Sequence, residues 1–326
     1  MVEGGACLAS SFRPGNHRLG SAISAPLARQ KINLTLLTHV VGDEILDSVT
    51  VLCTDRGAAA DSYSLLKARI RKGAVRPYPG ACILSLYPHD KRSDIKGNFI
   101  RSLAQAKVMI RALASSPSAI CAVLSQAAKN RALEVLFEHF EFPSYRTPAE
   151  FHAVVHPPQE FVREVIASYQ EKIIRVYYIV HQAGLDLWDL SVPSSQALED
   201  FAQALIALGK PNRAIPFLAA VPGPGKKFTL SFSLSTDCGD EVQDILKLHI
   251  PAIAIRRHSP VAAVFLHGPH FGDRFGIADT LVQALDRAKV SLLALSCAVS
   301  SITAMVREEE LLKALQVLGK TFEEQS

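Results

Sequence analysis

The sequence is short of the features that usually announce a function. Six cysteines are scattered through 326 residues as Cys7, Cys53, Cys82, Cys121, Cys238 and Cys297, with no CxxC pair. Metal ribbons and disulfide frameworks need close, regular cysteine spacing, so reduced thiols are expected and a bound metal is not. Neither sign of charge prevails: the net charge is +4, well below the concentrated positive charge of a nucleic-acid protein. The one basic concentration, Arg69, Arg71, Lys72 and Arg76 followed by Lys91, Arg92 and Lys96, reads as a solvated loop and helix end. Long apolar runs are missing too. Val290 to Val306, one of the two longest uncharged stretches, is slightly short for a membrane span and rich in serine and threonine. The opening "MVEGGACLASSFRPG" has neither the basic start nor the apolar centre of a secretory signal, so a cytoplasmic, non-membrane protein is expected.

Catalytic and cofactor signatures are equally sparse. No GxSxG elbow occurs, and "VPGPGKK" (221–227) lacks the Gly-Lys-Ser/Thr ending that a phosphate loop needs. "HGPH" (267–270) offers two histidines without a third ligand nearby. No catalytic residue, metal site or cofactor is therefore predicted. Trp188 and Phe201 read as core.

What is present is a repeat. "RALEVLFEHFE" (131–141) returns as "KALQVLGKTFE" (313–323), with six of eleven positions identical at an offset of 182. Walking backwards at that offset, "LAQAKVMI" (103–110) lies over "LDRAKVSL" (285–292), so Lys107 falls on Lys289; Ser118, Ile120 and Ala122 fall on Ser300, Ile302 and Ala304. Such self-similarity is weighed before any other signal. Within the copy at 277–322, "IADTLVQALDRAK" spaces apolar residues as a helix does, and "VSLLALSCA" and "SSITAMVR" read as adjacent strands. "EEELLKALQVLGKTF" opens with acids that favour a helix start. "PVAAVFLHG" (260–268) supplies a preceding strand, which completes the β-α-β-β-α order of a ferredoxin-like unit. Residues 17–70 read as helix, strand, strand, helix, with Lys31 again four residues after a leucine. A weaker copy runs over 184–249. Residues 141–180, with four prolines, read as a linker holding a helix at 159–172 and then a strand.

These residues resemble the ACT-domain family of small amino-acid-binding modules, most closely the paired regulatory modules at the C-terminus of aspartate kinases. The stretch 268–322 resembles the second module of such a pair, and "RLGSAISAPLARQKINLTLLTH" (18–39) resembles an ACT helix entering its second strand. The resemblance implies an α+β fold of four ferredoxin-like βαββαβ (ACT-like) modules, arranged as two pairs with antiparallel sheets. The expected boundaries are 1–76, 77–142, a linker at 143–180, a degenerate module at 181–256, and 257–326.

The family also implies a ligand site where two modules meet. A glycine turn before the first helix lets backbone approach a ligand, and free N–H groups at the helix start hold a carboxylate. Carried over, the turn candidates are Asn16 and Gly20, Asp94 and Gly97, and His270, Asp273 and Gly276. The second-strand candidate is Asn33, whose carboxamide both donates and accepts. Its counterparts are Met109 and Ser291, so at most one or two sites keep the polar apparatus.

The lysine- and glycine-rich nucleotide-binding opening of the kinases is not found, which implies a regulatory half without its enzyme. The expectation is a non-catalytic allosteric regulator that binds a small amino acid at an intermodule interface, as a homodimer or with an amino-acid biosynthesis enzyme as partner. The alternative is an interaction protein with decayed sites, pairing with an aspartate kinase. Nucleic acid is not expected as a partner, because the strands "DSVTVLCT", "SAICAVLS" and "SSITAMVR" contain no aromatics on which bases stack. Which amino acid binds, if any, and the oligomeric state are not legible.

Overall fold

The computed structural model describes residues 1–12, 19–42, 48–88, 91–117, 119–154, 174–194, 196–209, 213–223, 227–250, 254–268, 274–298 and 301–324. The chain begins with β1 (Val2–Phe12), then a π-helical turn (Gly20–Ser24) that runs into α1 (Ala25–Arg29). It continues through β2 (Leu34–Val40), β3 (Ser48–Thr54), α2 (Ala59–Arg69), β4 (Gly73–Leu86), α3 (Ser93–Gln105), β5 (Ala112–Ser115), β6 (Ile120–Ser125) and α4 (Lys129–His139). After α5 (Pro148–Val154) and the short β7 (Arg175–Val176) come β8 (Tyr178–Val192), α6 (Ala197–Leu208), β9 (Leu218–Pro222), β10 (Phe228–Ser235) and α7 (Gly239–His249). The last stretch holds β11 (Ala254–His267), α8 (Ile277–Arg287), β12 (Leu292–Ala298), β13 (Ser301–Arg307), α9 (Leu311–Thr321) and β14 (Glu323–Glu324). A β-α-β-β-α order thus recurs four times. The helix expected at 159–172 lies outside the described residues; the strand expected after it is present as β7 and the start of β8.

Twelve strands close into one hydrogen-bonded ring, in the order β1-β3-β2-β12-β13-β11-β8-β10-β9-β5-β6-β4, and all its pairings are antiparallel. Outside the ring, β14 pairs in parallel with β7. Each of the four repeats opens with a long strand, β1, β4, β8 or β11. In β1, Cys7–Phe12 pair with the first half of β4, while Val2 and Gly5 pair with its second half across a register shift. β8 and β11 divide in the same way, with the shift between His258 and Ala263. The expected boundaries at 76/77, 180/181 and 256/257 therefore fall inside β4, β8 and β11.

Edge strands join the first repeat to the fourth and the second to the third. Residues 294–298 of β12 pair with 36–40 of β2, tying the first repeat to the fourth. Leu113 and Ala114 of β5 pair with β9, tying the second to the third. The chain thereby pairs its own halves, a feature that the order of repeats along the sequence does not reveal.

Side-chain alternation builds three cores. In β6, Ile120, Ala122 and Leu124 face the helices α3, α4 and α6, whereas Cys121 and Val123 face the ring interior. In β13, Ile302, Ala304 and Val306 face α8 and α9, and Met305 points inside. Both faces of these strands are buried, which explains why they read as unbroken apolar runs instead of alternating ones. All six cysteines are free thiols. Cys7, Cys53 and Cys121 lie in the ring interior, and burial pushes the Cys121 thiol up to about 11.

Candidate functional site

The lysines found by the repeat occupy one local geometry. Lys31, Lys107 and Lys289 sit just past the first helix of their repeats, at φ 55°, 57° and 54°. Each lysine N–H bonds the carbonyl three residues back, and the next N–H bonds the one five back: Lys31 to Ala28 and Ile32 to Leu27, Lys107 to Ala104 and Val108 to Leu103, Lys289 to Asp286 and Val290 to Leu285. This is the Schellman helix ending, with its hydrophobic contact between the residue after the lysine and the last full turn. It fixes where each second strand starts, and so where two repeats meet. In the third repeat Gly209 holds the equivalent place with a right-handed backbone instead, at φ −69°, and its N–H bonds both Leu205 and Ile206.

Two seams follow. In the first, the π turn and α1 lie against α8, above the β2–β12 pairing. Gly20 makes this contact close: a Cβ there would stand 3.0 Å from Asp286 Oδ2 and 3.2 Å from Val282 Cγ1. Ser24 Oγ donates across the seam to Asp279 Oδ1 at 2.8 Å, and Gln283 Nε2 donates to Asp279 Oδ2 at 2.6 Å. Gly276 caps α8 at φ 85°, a left-handed backbone that glycine adopts without strain. Between the helices is a cavity of about 20 Å³, lined among others by Ser24, Ala28, Leu34, Arg274, Gly276 and Asp279. That is room for roughly one water.

In the second seam, α3 lies against α6 above the β5–β9 pairing. Gly97 is its contact point, and a Cβ there would meet Ile206 Cγ1 at 2.7 Å and the Ala202 carbonyl at 2.8 Å. Counting from the helix endings, Ile206 and Ala202 match Asp286 and Val282, so the two seams are built alike. Here the groove is about 610 Å³ and open, lined by Ala104, Val108, Met109, Ile110, Leu198 and Glu199 among others. Ala104, Val108, Ile110 and Glu199 hold the positions of Ala28, Ile32, Leu34 and Asp279. Lys96, fully buried, donates to the Ile215 carbonyl and locks α3 onto the segment before β9. Burial, with a smaller contribution from Lys91, pushes its amine down to about 7.

The expected ligand residues are distributed between these seams. Gly276 lines the first cavity. Gly20 supports it by close packing. Asn33 sits between two lining residues, Ile32 and Leu34, with its carboxamide oxygen buried. Ser291 stands outside the cavity, where its N–H and hydroxyl bond the Glu310 carboxylate at 3.0 and 3.4 Å. Asp94 and Gly97 belong to the second seam. The Arg92 guanidinium bonds Asp94 at 3.0 and 2.5 Å and holds its carboxyl below the usual carboxylate range. Asp94 also packs on Gly209, where a Cβ would come within 2.8 Å of its own Cβ. Asn16, His270 and Asp273 lie outside the described residues. Sequence reading missed Ser24, Arg274 and Asp279. Ser24 and Asp279 are 255 residues apart, and only the pairing of the halves brings them together.

The ACT domain model matches residues 257–320, which span β11 from Arg257, α8, β12, β13 and nearly all of α9. Residues 257–320 form an ACT domain. No curated protein matches the chain. Among solved structures, the aspartate kinase from Synechocystis superposes with a TM-score of 0.79 at 16% identity, covering 100% of this chain and 56% of that one. The regulatory subunits of aspartate kinase from Thermus thermophilus and Thermus flavus match at TM-scores of 0.40 and 0.41, with 16% and 15% identity. They cover 45% and 46% of this chain and 99% of their own. Over its whole length the chain thus shares the fold of part of that structure, and it spans little more than half of that structure's length. Among the described residues, no group of three or more His, Cys, Asp or Glu could hold a metal ion. No described helix is long and apolar enough to cross a membrane.

Proposed function

We propose that the chain is a non-catalytic regulatory array of four ACT modules that binds a small amino acid at the seam between α1 and α8. The observation that carries this reading is the cavity there. It places a carboxylate (Asp279), a guanidinium (Arg274) and a glycine-capped helix start among apolar walls drawn from both halves of the chain. A zwitterion is complementary to those groups, and a ligand that touches both halves favours their docked state. The modules meet there as first and fourth, with the fourth carrying the ACT match. Seen this way, the duplicated halves form an internal pseudo-dimer, and the regulated partner is an aspartate kinase or another amino-acid biosynthesis enzyme.

The test is thermal unfolding of the full chain against each of the twenty amino acids at millimolar concentration. A ligand at about a hundred times its dissociation constant adds roughly 2.7 kcal/mol, a rise of several degrees for a chain of this size. The expected result is a shift with one or two amino acids that is lost in Asp279→Asn and Asn33→Ala. A flat panel would overturn the sensor and favour the interaction reading, which has its own support: Met109, at the Asn33 position of the second seam, is 70% exposed.

A further inference from the structure

We propose that the Ser24–Asp279 hydrogen bond is a latch that holds the α1–α8 seam shut and releases when the site fills. The inference starts from the site proposed above and concerns how access to it is controlled. A cavity of about 20 Å³ accommodates roughly a water, and any amino acid is several times larger. The two helices must therefore separate before one enters. Gly20 holds them in van der Waals contact at one end of the crossing, and the 2.8 Å bond from Ser24 Oγ to Asp279 Oδ1 spans them at the cavity itself.

The molecule contains its own comparison. Measured from the helix endings at Lys31 and Lys107, Gly20 stands eleven residues back and Gly97 ten. The extra residue is absorbed by the π turn Gly20–Ser24, and insertions of this kind recur at functional places in helices. After that turn, Ser24 matches Ile100 of α3, while Asp279 matches Glu199 of α6. The second seam thus keeps the carboxylate and lacks the hydroxyl. Its groove is open, at about 610 Å³. One seam has a donor and acceptor facing each other and leaves room for about one water; the other has an acceptor only and leaves a wide groove.

Hydrogen exchange read by mass spectrometry on the full chain, without added ligand, tests the latch. Ser24→Ala is expected to speed exchange in the first turns of α8, where Thr280 N–H bonds Gly276 O, by about tenfold, the worth of one hydrogen bond to a charged group. Ser24→Thr, which keeps the hydroxyl, stays near the wild-type rate, and α3 and α6 are unchanged. Unchanged exchange in Ser24→Ala overturns the latch. So does acceleration spread evenly over all helices. If the alanine variant does not fold, Asp279→Leu, which removes the acceptor, is read by the same criterion. The amino-acid panel run on wild type and Ser24→Ala separates the two readings. Local acceleration with a flat panel keeps the latch and removes the sensor; a responsive panel with unchanged exchange removes the latch and keeps the sensor.

Discussion

The α1–α8 and α3–α6 seams begin from the same repeated unit, with the same close glycine contact and, in α1, α3 and α8, the same helix ending, yet one leaves room for about a water and the other is an open groove. The difference comes from a few side chains. The sealed seam has five residue pairs in its strand junction and a hydroxyl facing a carboxylate. The open seam has two residue pairs, an isoleucine at the hydroxyl position and an exposed methionine at its mouth. It is held at depth instead, by Gly97 against Ile206 and by the buried amine of Lys96. A duplicated unit can thus keep its scaffold while its interfaces diverge, because backbone geometry is set by caps and core pattern, whereas closure depends on single polar contacts.

The largest effect that sharpens this comparison is expected at Gly97. Gly97→Val puts side-chain atoms into space held by the Ala202 carbonyl and Ile206, and overpacking against backbone is expected to cost about 3 kcal/mol or more in urea unfolding. A loss below about 1 kcal/mol would show that the second seam yields easily and break the contrast.

The buried bases come next. His39 lies in β2 of the sealed seam, its Nδ1 2.7 Å from Thr50 Oγ1, and burial pushes its pKa from 6.5 to about 4. The unfolded chain takes up the proton near 6.5 and the folded one only near 4. Stability is therefore complete above 6.5 and declines between those values, by about 3 kcal/mol in all. His39→Gln should flatten that acid limb. Lys96 acts with the same sign in a higher pH window. Between about 7 and 10.5 the unfolded lysine keeps a proton that the folded one has released, so stability rises with pH across that window. Urea titrations at stepped pH would show the acid limb without the alkaline one in Lys96→Met.

A smaller effect is expected at Gly20. The methyl of Gly20→Ala meets a movable Asp286 carboxylate at 3.0 Å and Val282 at 3.2 Å, so a loss of about 1 kcal/mol is expected. A loss as large as that of Gly97→Val would mean that the two contacts are equally rigid. Gly319→Ala in α9 provides the baseline. Nothing lies within 4 Å of its added Cβ, and a gain of about 0.5 kcal/mol is expected in the same assay.

Much of this was legible along the chain. The 182-residue offset located the second and fourth repeats, and the periodicities of 277–289 and 311–321 gave α8 and α9, because those helices present apolar stripes to one side. The recurrent lysine marked a helix ending without a glycine to announce it. Other elements left no such trace. "VEGGACLASSF" is too rich in glycine, alanine and serine to read as a strand, and it becomes β1 only by pairing with β3 and β4 on its two sides. The candidate residues Asn33, Gly20 and Gly276 could be nominated through the resemblance to the ACT family, but Ser24 and Asp279 could not, since neither stands in a local pattern.

The sequence by itself determined most of the repeating β-α-β-β-α pattern and the apolar faces of its strands, since each depends on residues within about a turn or a strand of one another. Tertiary structure decided which repeats meet, that the strands close into one ring, and which seam is sealed. Those outcomes depend on edge strands and side chains hundreds of residues apart, whose pairing energy exists only once the two halves have folded against each other.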